Sequence, residues 1–175
     1  MAMHDKRLYE RDPEAWNAYL AEGNARQARK RVAADVIIRD DQHRLLLVNP
    51  TYKPDWDIPG GMAEANEPPV DAAHRELREE LGLHIEITRL LCIDWIPPHG
   101  PWDDNLVFVF DGGTLTAEAI AHLTLTDDEL AGFRFCDLTE AADLLRPYVW
   151  QRTTYALDAR STSTVQYLHH GSPVA

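Results

Sequence analysis

The sequence is poor in cysteine, short of basic charge, and lacks any long apolar run. Its two cysteines, Cys92 and Cys136, lie in apolar stretches with no CxxC spacing. That excludes a disulfide framework and a cysteine-based metal module, and leaves both thiols as small buried hydrophobes. Seventeen lysines and arginines stand against twenty-nine aspartates and glutamates, for a net charge of −12. A field of that sign repels phosphate backbones and anionic lipid surfaces, so neither polymeric nucleic acid nor a membrane is an expected partner. A small phosphorylated ligand is not excluded, because a metal ion can offset its charge. No segment has the length and apolarity of a membrane span, and the opening MAMHDKRLYERD lacks the apolar core of a secretion signal. A cytoplasmic location is the expectation. GxGxxG, GxxxxGK[ST] and HExxH are all missing, which removes the dinucleotide-binding, P-loop and zinc-protease readings.

What is present is ordinary globular material, 45 % hydrophobic and 26 % charged over 175 residues, enough for one domain with terminal extensions. The pattern divides into an N-terminal helical extension (1–31), a central domain (32–146) and a C-terminal tail (147–175). Asp12-Pro13-Glu14 starts a helix, with Gly23 as its expected stop. Strands are expected over 32–38, 45–48, 56–61, 85–96, 106–110 and 133–135, and helices over 69–81 and 139–145. The tail after Trp150 is weakly patterned and is expected to be ordered only by packing on a partner. Hairpins dominate over repeated βαβ units, so the fold class is mixed α/β with a sheet covered by helices.

The informative stretch is HRELREELGL, residues 74–83. At 100° per residue, Val70, Ala73, Leu77 and Leu81 share a narrow buried arc. Glu76, Glu79 and Glu80 are spaced i, i+3 and i+4 and occupy the neighbouring arc at the core edge. Like charges at that spacing repel one another. Two readings offset the repulsion: a solvated acidic face laced to Arg75 and Arg78, or a hard dication such as Mg²⁺ or Mn²⁺ held by carboxylate oxygens.

The upstream residues extend the pattern. Gly61, Glu67, Arg75-Glu76-Leu77, Glu79-Glu80 and Gly82-Leu83 fit G-x5-E-x7-R-E-U-x-E-E-x-G-U without a gap, U being aliphatic. Average composition gives such a match about a 10⁻⁸ chance over a chain this long. This is the signature of the Nudix hydrolases, and the chain resembles that family over residues 32–145, with WDIPGG (56–61) similar to its lead-in strand.

The resemblance implies an αβα sandwich with a mixed sheet flanked by helices, and hydrolysis of a nucleoside diphosphate linked to another moiety, ADP-ribose or a similar derivative. It implies Glu76, Glu79 and Glu80 as ligands of Mg²⁺ (or Mn²⁺). Glu67 and the Gly61 backbone stand beside them, and Arg75 orients the glutamates. The general base is a box glutamate or an acid of the loop 125–129, Glu129 among them. Trp102 and Trp95 are candidate walls for a nucleobase. A house-cleaning nucleoside triphosphate pyrophosphohydrolase and a non-catalytic nucleotide sensor are the alternatives. The partner is a small nucleotide, and a homodimer through the N-terminal helix and the tail is left open.

Overall fold

The computed structural model describes residues 7–126 and 128–174. In chain order these form α1 (Leu8–Arg11), α2 (Pro13–Arg26), β1 (Arg31–Arg39), β2 (Leu45–Pro50), β3 (Gly60–Met62), α3 (Pro69–Leu81), β4 (Arg89–Ile96), β5 (Asn105–Thr114), α4 (Ala117–Ala121), β6 (Leu130–Cys136), α5 (Leu138–Leu144), α6 (Pro147–Thr162), β7 (Gln166–His169) and β8 (Ser172–Pro173).

One mixed sheet runs β6-β2-β1-β5-β4-β7-β8, with β3 pairing onto β1. β1 is its organising strand. It lies parallel to β5 over most of its length and antiparallel to β2 and β3. Its sequence, RVAADVIIR, is nearly continuous in apolar residues because both faces are covered. Ala34, Val36 and Ile38 face a core built with Ala73, Leu77 and Leu81 of α3. Ala33 and Ile37 face the opposite core, completed by Ala141 of α5 and by Val149, Ala156 and Ala159 of α6. The αβα sandwich expected from the sequence is therefore observed.

α3 covers residues 69–81, as the periodicity predicts. Pro69 suits the first helical position, and Asp71 complements the positive helix end. Gly82 ends the helix at φ 61°, its N–H bonding to the Arg78 carbonyl while Leu83 N–H reaches the Leu77 carbonyl. A left-handed residue there is the ordinary task of glycine. Leu77 is fully buried, and truncating such a leucine to alanine costs about 2–5 kcal/mol. The element that carries the glutamates is thus anchored by its leucines.

Several elements differ from expectation. α2 runs through Gly23 to Arg26; the glycine sits in open space and stops nothing. No residue of α2 is buried, and the Trp16 ring packs against those of Tyr9 and Tyr19. Residues 85–88 are not strand. Ile85 and Ile87 instead pack against the α3 core, and β4 begins at Arg89. β3 starts only at Gly60, with Trp56 and Asp57 in isolated bridges. α4, capped by the Thr116 hydroxyl, was not expected at all. The largest difference is the C-terminal segment, which is not a loose tail. α6 lies in the core, and β7 adds to the sheet beside β4 with Leu168 fully buried. Its buried face is Val149, Arg152, Thr153, Ala156 and Ala159, a helical stripe of small and polar residues that leaves little hydrophobic periodicity to read. No helix among the described residues is long and apolar enough to cross a membrane.

Candidate active site

Three carboxylates of α3 and its approach loop, Glu67, Glu76 and Glu79, gather around one cation, Arg75. Its Nε and Nη2 each donate to Glu67 at 3.0 Å, and Nη1 donates to Glu76 at 2.9 Å and to Glu79 at 3.0 Å. Nη2 also reaches the Met62 carbonyl at 2.9 Å. A guanidinium has five donors in a fixed fork, and here it spans three carboxylates. The hydrogen bond to Glu67 does most to hold Arg75 in its charged form, and the same bond draws the Glu67 carboxyl below its usual range. Glu76 moves the other way. Burial pushes its pKa up against the pull of Arg75, and the nearby charges of Glu79 and Glu129 add to the rise.

Gly61 has a structural reason to lack a side chain. A Cβ there would come within 2.5 Å of the Glu76 carboxylate. The neighbouring Gly60 N–H donates to Glu80 at 3.1 Å, so β3 and α3 are stitched together at the box glutamates. Glu80 is buried, whereas the Glu79 side chain is 51 % exposed. The three box glutamates therefore point in two directions: Glu76 and Glu79 toward Arg75, Glu80 toward the glycine turn.

Glu80, Gly60 and Gly61 form one wall of a cleft of about 480 Å³ that also takes in Tyr52, Lys53 and Trp102. Trp102 is 54 % exposed, with the Arg31 guanidinium 4.6 Å above its ring. Trp95 lies outside the cleft. Its indole N–H donates to Asp104 at 2.8 Å and its ring meets His169 edge-on. Glu129 is exposed in the loop before β6, where its carbonyl accepts from the Thr51 N–H at 2.8 Å. Asp127 of the same loop lies outside the described residues. Thr124 and Thr126 tie this loop to the last carbonyls of α3, so the loop and the glutamate helix are held together.

The cleft floor carries residues that the motif reading missed. Arg152 of α6, 4 % exposed, lies 3.4 Å from Asp35 of β1 and 3.4 Å from Asp94 of β4. Asp94 is fully buried and accepts the Gly171 N–H at 3.0 Å. Burial pushes Asp35 up to about 7, with Arg152 opposing and Asp57 adding to the rise. Burial likewise raises Asp94, against the Gly171 N–H and Arg152. Lys53 pairs with Asp57 at 2.5 Å on the cleft wall. A signal existed in the sequence: VAADVII and LLCIDWI each place one carboxylate inside an apolar strand, where a charge requires a partner.

Chemically, Glu67, Glu76, Glu79 and Glu80 are hard oxygen donors of the kind that Mg²⁺ or Mn²⁺ prefers. The glycine at 61 leaves the Glu76 carboxylate packed directly against backbone. In charge and donor type the set fits a dication. In the arrangement observed, however, Arg75 offsets the charge of three of the four, and among the described residues no three His, Cys, Asp or Glu side chains converge as a metal-holding group.

The chain is 44 % identical over 48 residues to an RNA pyrophosphohydrolase of Halorhodospira halophila, covering 27 % of this chain and 26 % of that protein. It is 36 % identical over 92 residues to an ADP-ribose pyrophosphatase of Methanocaldococcus jannaschii, covering 49 % of this chain and 54 % of the other. The match thus spans only between about a quarter and about half the length of these relatives. Among solved structures, the NUDIX domain of Shewanella oneidensis NrtR, complexed with ADP ribose, superposes with a TM-score of 0.64 at 18 % identity, covering 85 % of this chain and 98 % of that one. A MutT protein from Methanosarcina mazei superposes with a TM-score of 0.62 at 18 % identity, covering 78 % and 99 %. At such identities these two show the fold. The family model of the NUDIX domain matches residues 29–157, well over half of the chain, and this protein belongs to that family.

Proposed function

We propose that this chain hydrolyses the pyrophosphate linkage of a nucleoside diphosphate joined to a second moiety, ADP-ribose or a similar derivative. Glu76, Glu79 and Glu80 would hold Mg²⁺ or Mn²⁺, with Glu67 and the Gly61 backbone beside them. The observation that carries the reading is the seam between β3 and α3: Glu80, bonded to the Gly60 N–H, opens onto the cleft, and Glu76 packs on Gly61 just behind that wall. When bound, the metal offsets phosphate charge and lowers the pKa of a coordinated water. The chain's own residues supply the rest. The half-exposed Glu79 would exchange its contact with Arg75 for the metal. Arg75 retains Glu67 through two hydrogen bonds and so keeps the approach loop in place. Glu129, whose charge adds to the rise of the Glu76 pKa, would take the proton. Trp102, backed by Arg31, offers a face on which a base can stack. The likeness to an ADP-ribose pyrophosphatase supports this substrate class.

A second reading is a nucleotide-sensing domain without turnover, favoured by Arg75 tying up three of the four glutamates. Product release separates the two when measured across ADP-ribose, sugar nucleotides, dinucleoside polyphosphates and (deoxy)nucleoside triphosphates with Mg²⁺ or Mn²⁺. Metal-dependent release of a nucleoside monophosphate from a diphosphate derivative is the expected result, and pyrophosphate release from triphosphates alone would redirect the reading to house-cleaning. Ligand-induced stabilisation without product would establish the sensor, and neither binding nor release would overturn both.

A further inference from the structure

A second pocket, of about 250 Å³, lies away from the cleft and shares no residue with it. Arg39 from the end of β1, His43 from the following turn, and Arg160 and Ser161 from the end of α6 supply its polar wall; Leu138 and Leu157 supply its apolar one. The charge balance here is unusual for a chain of net charge −12. One buried carboxylate, Asp111, serves Arg160 at 2.9 Å and Arg89 at 3.7 Å. Arg39 takes part in none of the ion pairs among the described residues, and its Nε is buried with no hydrogen-bond partner. Burial and the nearby Arg160 cation both work against its charge, and Asp111 compensates only in part. A buried guanidinium N–H without an acceptor is a penalty that folded proteins rarely leave in place.

A group bearing two or more oxygens matches this deficit. Guanidinium forks bind carboxylate and phosphate oxygens through paired, charge-assisted hydrogen bonds. The half-exposed Leu138 and the adjacent Leu157 can cover an apolar body attached to that group. We propose that the Arg39–His43–Arg160 pocket is a second ligand site, taking a small oxyanion, phosphate or carboxylate, independently of the cleft.

The test is amide-resolved NMR of the full chain titrated with inorganic phosphate and, separately, with acetate. Saturable shifts at His43, Leu138, Leu157 and Ser161 are expected, unchanged in Glu80→Gln and about tenfold weaker in Arg39→Gln. Saturation by phosphate alone assigns a phosphoryl ligand, and saturation by acetate alone assigns a carboxylate. His43→Asn, at an exposed position with φ 64° that asparagine tolerates, keeps the question decidable if Arg39→Gln fails to fold; it too should weaken binding. Shifts confined to Tyr52, Gly60 and Gly61, no saturation with either anion, or unweakened binding in both variants would overturn the proposal.

Discussion

α6 carries an arginine near each of its ends, and the two sit in opposite charge surroundings. Arg152, at the cleft floor, faces two buried carboxylates, Asp35 and Asp94. Arg160, two turns on, shares the single carboxylate Asp111 with Arg89 while the unpaired Arg39 stands nearby. β1 repeats the contrast from the other side, with Asp35 at the cleft and Arg39 at the second pocket. The two lie roughly 13 Å apart along the strand. One scaffold of strand and helix thus presents an acid-rich end and a base-rich end. Buried charge is expensive wherever it is unmatched, so each end reveals what it lacks. The cleft end sets two buried carboxylates against Arg152, whose Nε, like that of Arg39, is buried without a hydrogen-bond partner; the other end sets the guanidinium groups of Arg39, Arg89 and Arg160 against the single carboxylate of Asp111.

Breaking the pair at the cleft should have the largest effect. Arg152→Leu leaves Asp35 and Asp94 buried without a cation and is expected to destabilise the fold by about 3–5 kcal/mol in denaturant unfolding. Adding Asp35→Asn and Asp94→Asn should recover most of that loss. A cost near zero for the single variant would erase the contrast between the ends.

The next effect is a pH dependence. Asp35 ionises in the folded chain at about 7 rather than at its ordinary 3.8, chiefly through burial. Between those values the folded chain keeps a proton that the unfolded chain has released. Its contribution to stability is therefore full below about pH 4 and lost as the pH rises toward about 7. Denaturant melts at about pH 5 and about pH 7.5 should show stability falling with pH, and Asp35→Asn should flatten the fall. An equal slope in the variant would remove Asp35 as its source.

Arg75→Gln tests whether a shared cation is needed wherever acids crowd. With Glu67, Glu76 and Glu79 left facing one another, a loss on the order of 2–3 kcal/mol is expected without metal, partly restored by millimolar Mn²⁺. Thermal unfolding with and without the ion reads both numbers. The smallest effect belongs to the base-rich end. Arg160→Met leaves Asp111 with Arg89 and the Gly113 N–H, so about 1 kcal/mol is expected. A loss as large as that of Arg152→Leu would show that the two ends are not different in kind.

The parts of the molecule that were legible in the sequence are those where periodicity and spacing coincide. α3 was bounded correctly because its leucines recur at helical spacing and Gly82 ends it. β1 and β2 were legible as branched apolar runs about a two-acid turn, in which Asp40 accepts from the Gln42 and Arg44 N–H groups. α6 was not legible, because its buried stripe consists of alanine, threonine, valine and an arginine whose partners lie 58 and 117 residues upstream. At the site, the motif located the glutamates but not how their charge is shared. Spacing lets Arg75 reach Glu79; it does not say that the same guanidinium also holds Glu67 and Glu76 while Glu80 turns to Gly60. Trp102 and Trp95 illustrate the same limit. Both flank a stiff proline loop, yet one lines the cleft and the other spends its N–H on Asp104.

The proposed chemistry requires that the box glutamates bind a dication despite Arg75. Titration of the intact chain with Mn²⁺, followed by electron paramagnetic resonance, tests it without reference to any substrate. Saturable binding is expected, lost in Glu80→Gln and weakened by at least about tenfold in Glu79→Gln, with both variants still folded. Free Mn²⁺ throughout the titration of the wild-type chain, or saturable binding indifferent to both substitutions, would contradict it.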